Sequence, residues 1–153
     1  MFTNLLRGAV AGAAGTTALN AATYADMAVR ARPASSTPQQ AVDELAERSG
    51  HPVPGEGEER ENRLQGLGPL AGILTGVGIG MAAGLLRPVI ARLPTPIGAV
   101  ALGAAAMAGA DAPLSKLGLT DVSSWSATDW LSDVVPHLSY GLVTFWTLRG
   151  ERH

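Results

Sequence analysis

The sequence lacks cysteine altogether and has few charged or aromatic residues. Without thiols the chain has no disulfide framework, no thiolate metal site and no cysteine nucleophile. Charged residues make up 16% of the chain, against about 25% in an ordinary soluble domain. The formal net charge of -2 gives no electrostatic basis for general nucleic-acid binding. We therefore expect neither a disulfide-stapled protein nor a nucleic-acid-binding protein.

The few charges are unevenly distributed and leave four uncharged runs. These runs are residues 8–25, 66–86, 93–110 and 134–148. A helix needs about 20 apolar residues to cross a bilayer, with about 17 as the practical minimum. The second run is long enough by itself, and the others reach this length only with polar flanks at the membrane surface. No segment shows β alternation, so we predict an all-α fold.

The prediction is one membrane domain over residues 1–153, built as a bundle of about four transmembrane helices. We expect these helices at residues 4–29, 66–87, 95–111 and 127–148. The first run also resembles a signal peptide, since Arg7 precedes an apolar stretch that ends in small residues. That run is longer than a typical signal core, so we favour a retained helix.

A polar loop at residues 30–65 separates the first two predicted spans. Within it, Thr37, Pro38 and Gln40 are typical of a helix start, and Gly50 of a helix end. An apolar stripe lies between these signals, so we predict one short amphipathic helix. The stretch holds acidic residues and arginines together. It is either a solvated connector or a docking site for a basic partner.

The second predicted span contains a glycine at every fourth position. We call this series the glycine ladder: Gly68, Gly72, Gly76, Gly80 and Gly84. Residues four apart share one helix face, and glycines there let a second backbone approach closely in a bilayer. Gly8 and Gly12 offer a similar surface on the first span. The ladder either packs the chain's own helices or forms an oligomer interface.

Ionisable residues recur along the last predicted span. Asp129, Asp133 and His137 are four residues apart and share one face. Asp129 lies in the first turn, where an acid complements the helix dipole. Asp133 and His137 either satisfy each other and the backbone opened by Pro136, or form a proton relay or ion site. A metal site is a further alternative, but no second histidine supports it.

Other polar residues fall inside the predicted spans. They are Asn20 and Asp26 in the first, Asp111 at the end of the third and Tyr140 in the fourth. Thr16, Asn20 and Thr23 share a face and are candidates for hydrogen bonds to the last span. No nucleophile elbow or phosphate-binding loop is present in the sequence. We therefore expect no enzymatic activity, no catalytic residues, no metal and no cofactor.

Two short segments carry a family resemblance. The run Pro136-His-Leu-Ser-Tyr-Gly-Leu-Val resembles the last helix of YagU-like small inner-membrane proteins, and Arg7-Gly-Ala-Val-Ala-Gly12 resembles their first. The Ala/Arg/Gly-rich composition is similar to that of actinobacterial proteins. The resemblance implies a multi-pass inner-membrane protein. It marks His137, Tyr140 and Gly141 as family-pattern positions without assigning them a role.

Two functions are consistent with the sequence. The first is a structural or accessory component of the bacterial inner membrane, which contacts lipids and forms a homo-oligomer or joins a larger membrane complex. The second is an oligomeric channel or proton-coupled transporter that uses Asp133 and His137. Counting arginine and lysine in the loops does not decide which side the termini face.

Overall fold

The chain folds into six α-helices and one short 3-10 helix over residues 1–150, the part that this computed structural model describes. The helices are α1 (Phe2–Arg30), α2 (Thr37–Arg48), α3 (Gly57–Leu85), α4 (Arg87–Ile90), α5 (Thr95–Lys116) and α6 (Ala127–Gly150), and the 3-10 helix is Val122–Ser124. The predicted all-helical fold class is confirmed for these residues.

The four long helices, α1, α3, α5 and α6, form an antiparallel bundle. On α1, Gly8 packs against Gly80 and Gly12 against Gly76 of α3, so these two helices run in opposite directions. Helix α6 packs between α1 and α5, again antiparallel to both. Helix α3 also touches α5, and α2 lies against α3. The bundle therefore alternates direction with each long helix along the chain.

Helix α3 begins at Gly57, not near Gly66 as predicted, so the polar loop is shorter than residues 30–65. The added turns carry Glu58 and Glu59, whose charges complement the dipole at a helix start. Arg63 pairs with Glu59 one turn away, with N–O 2.7 Å. Such pairs stabilise a helix in water. A search for uncharged runs therefore misses the charged first turns of α3. Pro69 consequently lies inside α3 and not in its first turn.

The predicted amphipathic helix is present as α2, although its first residues have other roles than expected. Ser36 is the N-cap and Thr37 is already helical, with Pro38 in the first turn. The predicted end is found, since Gly50 has a φ of 74°. Arg60 of α3 bonds Asp43 of α2 at 2.5 Å, so an ion pair ties the helix to the start of α3.

Two helices, α3 and α5, are long and apolar enough to span a membrane, and not the four predicted. Helices α1 and α6 have sufficient length but carry more polar residues, among them Asn20, Asp133 and His137. Helix α5 extends to Lys116, beyond the predicted end at residue 111, and α6 extends to Gly150. Whether α1 and α6 suit a membrane as well as α3 and α5 do depends on whether their polar side chains point into the bundle.

The glycine ladder is divided between two neighbours. Gly76, Gly80 and Gly84 face α1, whereas Gly68 faces the first turn of α2. A Cβ added to Gly80 would lie 2.6 Å from the backbone nitrogen of Gly12, which is closer than real Cβ atoms come. Around Gly72 there is open space. Gly80 and Gly84 thus allow direct backbone contact between α1 and α3, and Gly76 leaves room for the side chain of Thr16.

Helices α5 and α6 meet in the same way. A Cβ on Gly141 would lie 2.5 Å from the backbone nitrogen of Gly103. A Cβ on Gly103 would lie 2.7 Å from the carbonyl oxygen of His137. Two helix pairs of the bundle are therefore joined backbone to backbone.

The ladder provides a matched pair of variants. Gly80→Ala should lower the free energy of unfolding by about 1–3 kcal/mol, because the added methyl group meets backbone that has no room to move. Gly72→Ala should cost nothing and gain up to about 1 kcal/mol from helix propensity. The measurement is thermal unfolding by circular dichroism in mild detergent. Equal effects of the two substitutions would contradict the α1–α3 contact.

Candidate functional site

The interior of the bundle combines an apolar core, in which Phe145 and Leu148 are fully buried, with a few buried hydroxyl-bearing side chains. Tyr140 and Thr144 of α6 are completely buried, and Thr16 of α1 is nearly so. Gly15 lies directly against Tyr140 and Thr144, because a larger residue would overlap both side chains. The centre of the protein is thus a place where α6 presents polar groups to α1 and α3.

Three hydrogen bonds satisfy these hydroxyl groups. Tyr140 donates to the carbonyl oxygen of Gly76 on α3 at 2.7 Å, and Thr144 donates to that of Ala11 on α1 at 3.3 Å. Thr16 donates within its own helix to the carbonyl oxygen of Gly12 at 2.8 Å. Buried polar groups need such partners, and here two of the bonds join different helices. We call Thr16, Tyr140 and Thr144 the hydroxyl seam.

A second polar group lies nearer the start of α6, and we call Asp111, Asp133 and His137 the acid–histidine cluster. His137 Nδ1 is 2.9 Å from the carbonyl oxygen of Asp133 and 3.3 Å from its Oδ2. Asp111 of α5 lies close enough to Asp133 and His137 to interact with both electrostatically. The cluster therefore joins α5 and α6.

The two carboxyl groups of the cluster have few other partners. Asp111 Oδ2 and Asp133 Oδ2 are buried and receive no hydrogen bond from a donor group among residues 1–150. Two neighbouring carboxyl groups can share a hydrogen bond only when one of them is protonated. The arrangement can therefore hold and exchange a proton beside an imidazole. Within the described part of the chain, no group of three His, Asp or Glu residues has a geometry that would hold a metal ion.

The other predicted polar residues lie elsewhere. Asp26 is at the end of α1, where it bonds Arg30 at 2.5 Å and Arg32 at 2.6 Å. Asp129 accepts a hydrogen bond from the backbone nitrogen of Ser126 at 2.9 Å and so caps the start of α6. Asn20 is half-buried on α1, with no side-chain hydrogen bond to a residue of the described chain. The structure does not bring these three residues to the cluster.

Two members of these sites had no assigned role in the sequence analysis. Thr144 lies one turn after Tyr140, and this spacing is the signal that places both on one face. Asp111 was recognised only as a polar residue that ends a span. Nothing in the sequence pairs it with Asp133, because the pairing depends on how α5 and α6 pack.

No protein family, curated protein or solved structure matches the chain.

The hydroxyl seam gives a second pair of variants. Tyr140→Phe should lower the free energy of unfolding by about 1 kcal/mol, because it removes a buried bond between α6 and α3. Ser139→Ala is the control, since among residues 1–150 Ser139 bonds only the carbonyl oxygen of Val135 on its own helix. Thermal unfolding in mild detergent measures both. A Tyr140→Phe protein as stable as the control would show that the bond contributes nothing.

Proposed function

We propose that the protein is a multi-pass component of the bacterial inner membrane, with α1, α3, α5 and α6 as its four spans. The observation that carries this proposal is the exposure of its apolar helices. Only 22% of the most apolar window of α3 and 28% of that of α5 is buried within the chain. The core helix of a soluble protein would be mostly covered. Hydrocarbon is the surrounding that suits such helices.

The distribution of side chains supports a lipid environment for the whole bundle. Large apolar residues are exposed on each long helix: Leu6 and Val10 on α1, Leu70 and Leu74 on α3, Ile97 and Val100 on α5, and Leu131 and Val135 on α6. The hydroxyl seam lies inside. Exposed apolar side chains on every long helix are rare in a water-soluble protein.

We include α1 and α6 as spans because of the helices that they pack against. Each packs along a helix that is apolar enough to span, so each occupies the same layer. With 29 and 24 residues, they are about 43 and 36 Å long, which exceeds the ~30 Å hydrocarbon layer. Their polar residues Thr16, Tyr140 and Thr144 point inward and need no water. Trp130 and Trp146 are exposed near the two ends of α6, as tryptophans at membrane interfaces are.

A structural or accessory role, without enzymatic activity, is the function that suits this bundle best. Backbone contact at Gly8 and Gly12 leaves no space between α1 and α3 for a substrate. Because α1 covers Gly76, Gly80 and Gly84, a homo-oligomer or larger complex would use other faces of the bundle. The multi-pass inner-membrane assignment agrees with what the resemblance to YagU-like proteins implies.

Proton-coupled transport is the second candidate, and the acid–histidine cluster is the observation that favours it. Asp111 on α5 and Asp133 on α6 are positioned to share a proton beside His137. Ionisable groups within a membrane bundle are expensive and commonly mark ion or proton pathways. A bundle this thin would conduct along a face shared with another copy.

Single-cysteine labelling tests the four-span arrangement, and the natural chain has no cysteine to interfere. We expect Ser49→Cys and Ser124→Cys to react with a membrane-impermeant maleimide from one side of the membrane, and Thr3→Cys from the other. The reason is that α1, α3 and α5 each cross the layer once. Labelling is compared in intact and lysed cells.

Two other results have distinct meanings. If only α3 and α5 cross, Thr3→Cys will label from the same side as Ser49→Cys. Recovery of the protein in the soluble fraction, without detergent, would overturn the membrane assignment altogether.

Proton flux tests the second candidate in proteoliposomes that contain a pH-sensitive dye. Asp133→Asn should reduce flux at least tenfold, because the amide cannot release a proton. Asp43→Asn is the control, since Asp43 lies on α2 outside the bundle. Absence of flux through the wild-type protein, at matched incorporation, would leave the accessory role as the better proposal.

A further inference from the structure

The imidazole ring of His137 is bonded to the backbone of its own helix. Its Nδ1 atom is 2.9 Å from the carbonyl oxygen of Asp133, one turn earlier on α6. Only 9% of His137 is exposed, so water competes little for this bond. A carbonyl oxygen can accept a hydrogen bond but not donate one, and the hydrogen must therefore be on Nδ1. The ring is thus held with Nδ1 as its donor atom.

The carboxyl group of Asp133 does not accept this hydrogen. Its Oδ2 atom is 3.3 Å from Nδ1, yet it receives no hydrogen bond from a residue among 1–150. The hydrogen on Nδ1 consequently points to the backbone and not to the carboxyl group. A backbone acceptor remains in place when the side chain of Asp133 is changed, so the two roles of this residue can be separated by substitution.

The backbone that carries this bond is fixed by its neighbours. Gly103 of α5 lies against the carbonyl group of His137, where an added Cβ would come 2.7 Å from the oxygen. Pro136, the preceding residue, is buried, and its ring restricts the backbone angle φ. Because the backbone cannot easily move here, the imidazole keeps its orientation relative to α5 and α6.

The other ring nitrogen, Nε2, is available to bind a proton. It makes no hydrogen bond to a residue among 1–150. A neutral imidazole with its hydrogen on Nδ1 carries a lone pair on Nε2. The Oδ2 atoms of Asp111 and Asp133 are fully buried without a partner, whereas Nε2 is not. Part of its surface is therefore open to the surroundings, and a proton can reach it.

The charges around the ring favour its protonated form. Asp133 on α6 and Asp111 on α5 both interact with it electrostatically. Helix α3 has no charged residue at 64–86. Helix α1 also packs on α6, and its nearest charges are bonded to one another at its end: Asp26, Arg30 and Arg32. An imidazolium ion at this place would be stabilised by two carboxyl groups.

We propose that Nε2 of His137 is the atom at which the acid–histidine cluster takes up a proton, and that the carbonyl group of Asp133 is the positioning group. In the uptake step the lone pair of Nε2 takes a proton from a hydronium ion, which leaves as water, and the neutral ring becomes an imidazolium ion. Nδ1 keeps its hydrogen throughout, and release is the reverse step. The inference rests on the second candidate function, because it treats the cluster as a proton-binding site.

Nuclear magnetic resonance of the full-length protein in mild detergent, with isotope-labelled histidine nitrogen, tests this assignment. The chain has three histidines, and a double variant with His51→Gln and His153→Gln leaves His137 alone. Long-range correlation spectra separate the ring nitrogens, because Nε2 couples to both ring C–H hydrogens and Nδ1 mainly to one.

The expected spectrum depends on pH. At about pH 9, well above the ordinary imidazole pKa of about 6.5, Nδ1 should be protonated and Nε2 unprotonated. On acidification the Nε2 signal should move to the protonated range, while the Nδ1 signal stays there. A hydrogen on Nε2 instead of Nδ1 at high pH, or on both nitrogens, would overturn the proposal.

Asp133→Asn separates the backbone of this residue from its carboxyl group. Since the carbonyl oxygen remains, the hydrogen should stay on Nδ1 in this variant at high pH. Its transfer to Nε2 would show that the carboxyl group sets the protonated nitrogen, and would overturn the role of the carbonyl group.

Proton flux in proteoliposomes distinguishes this inference from the function on which it rests. A protein with the expected spectrum at both pH values but no flux has the proton-binding atom at Nε2 and is not a transporter. A protein that conducts protons, but carries its hydrogen on Nε2 at high pH, remains a transporter and contradicts the inference.

Discussion

The bundle depends on direct contact between helix backbones, at α1 with α3 and at α5 with α6. A Cβ at Gly80, Gly12 or Gly103 would lie within 2.7 Å of a backbone atom of the neighbouring helix, so only glycine fits there. These close contacts also fix how far each helix is shifted along its axis relative to its neighbour. Tyr140 of α6 can reach the carbonyl oxygen of Gly76 on α3 because the glycine contacts hold α1, on which α6 packs, close to α3. The hydroxyl seam is thus a consequence of where glycine allows helices to touch.

Polar side chains on α1 and α6, some of them buried, explain why hydropathy identifies two candidate spans although the bundle has four long helices. Thr16, Tyr140 and Thr144 lower the average apolarity of their helices, yet none of them meets the surroundings. The seam satisfies its hydroxyl groups with carbonyl oxygens of α1 and α3, as the proposed hydrocarbon surroundings would require. A hydropathy scan along one helix records the polarity of each residue, but not whether its side chain points into the bundle.

Much of the local structure could be predicted from the sequence, and most of the pairings could not. Four-residue spacing places the ladder glycines on one face of α3, but it does not say which neighbour covers that face. The structure assigns Gly68 to α2, Gly80 to α1 and leaves Gly72 open. The early start of α3 at Gly57 was missed because its first turns are stabilised by charges in water and not by apolar contacts. Asp111 and Asp133 were both recognised as polar, but their meeting depends on the contact between α5 and α6.

That contact also links packing to the possible chemistry of the protein. Gly103 lies against the backbone carbonyl of His137, and this approach brings the end of α5 alongside the start of α6. Two carboxyl groups are thereby placed close to His137, each with a buried oxygen that has no hydrogen bond among residues 1–150, and burying such groups costs free energy. An asparagine or leucine at position 111 would serve a purely structural bundle better. The packing of α5 on α6 therefore accounts for the closeness of Asp111 and Asp133 but not for their being acids, and that difference is the physical ground for testing proton exchange at this place.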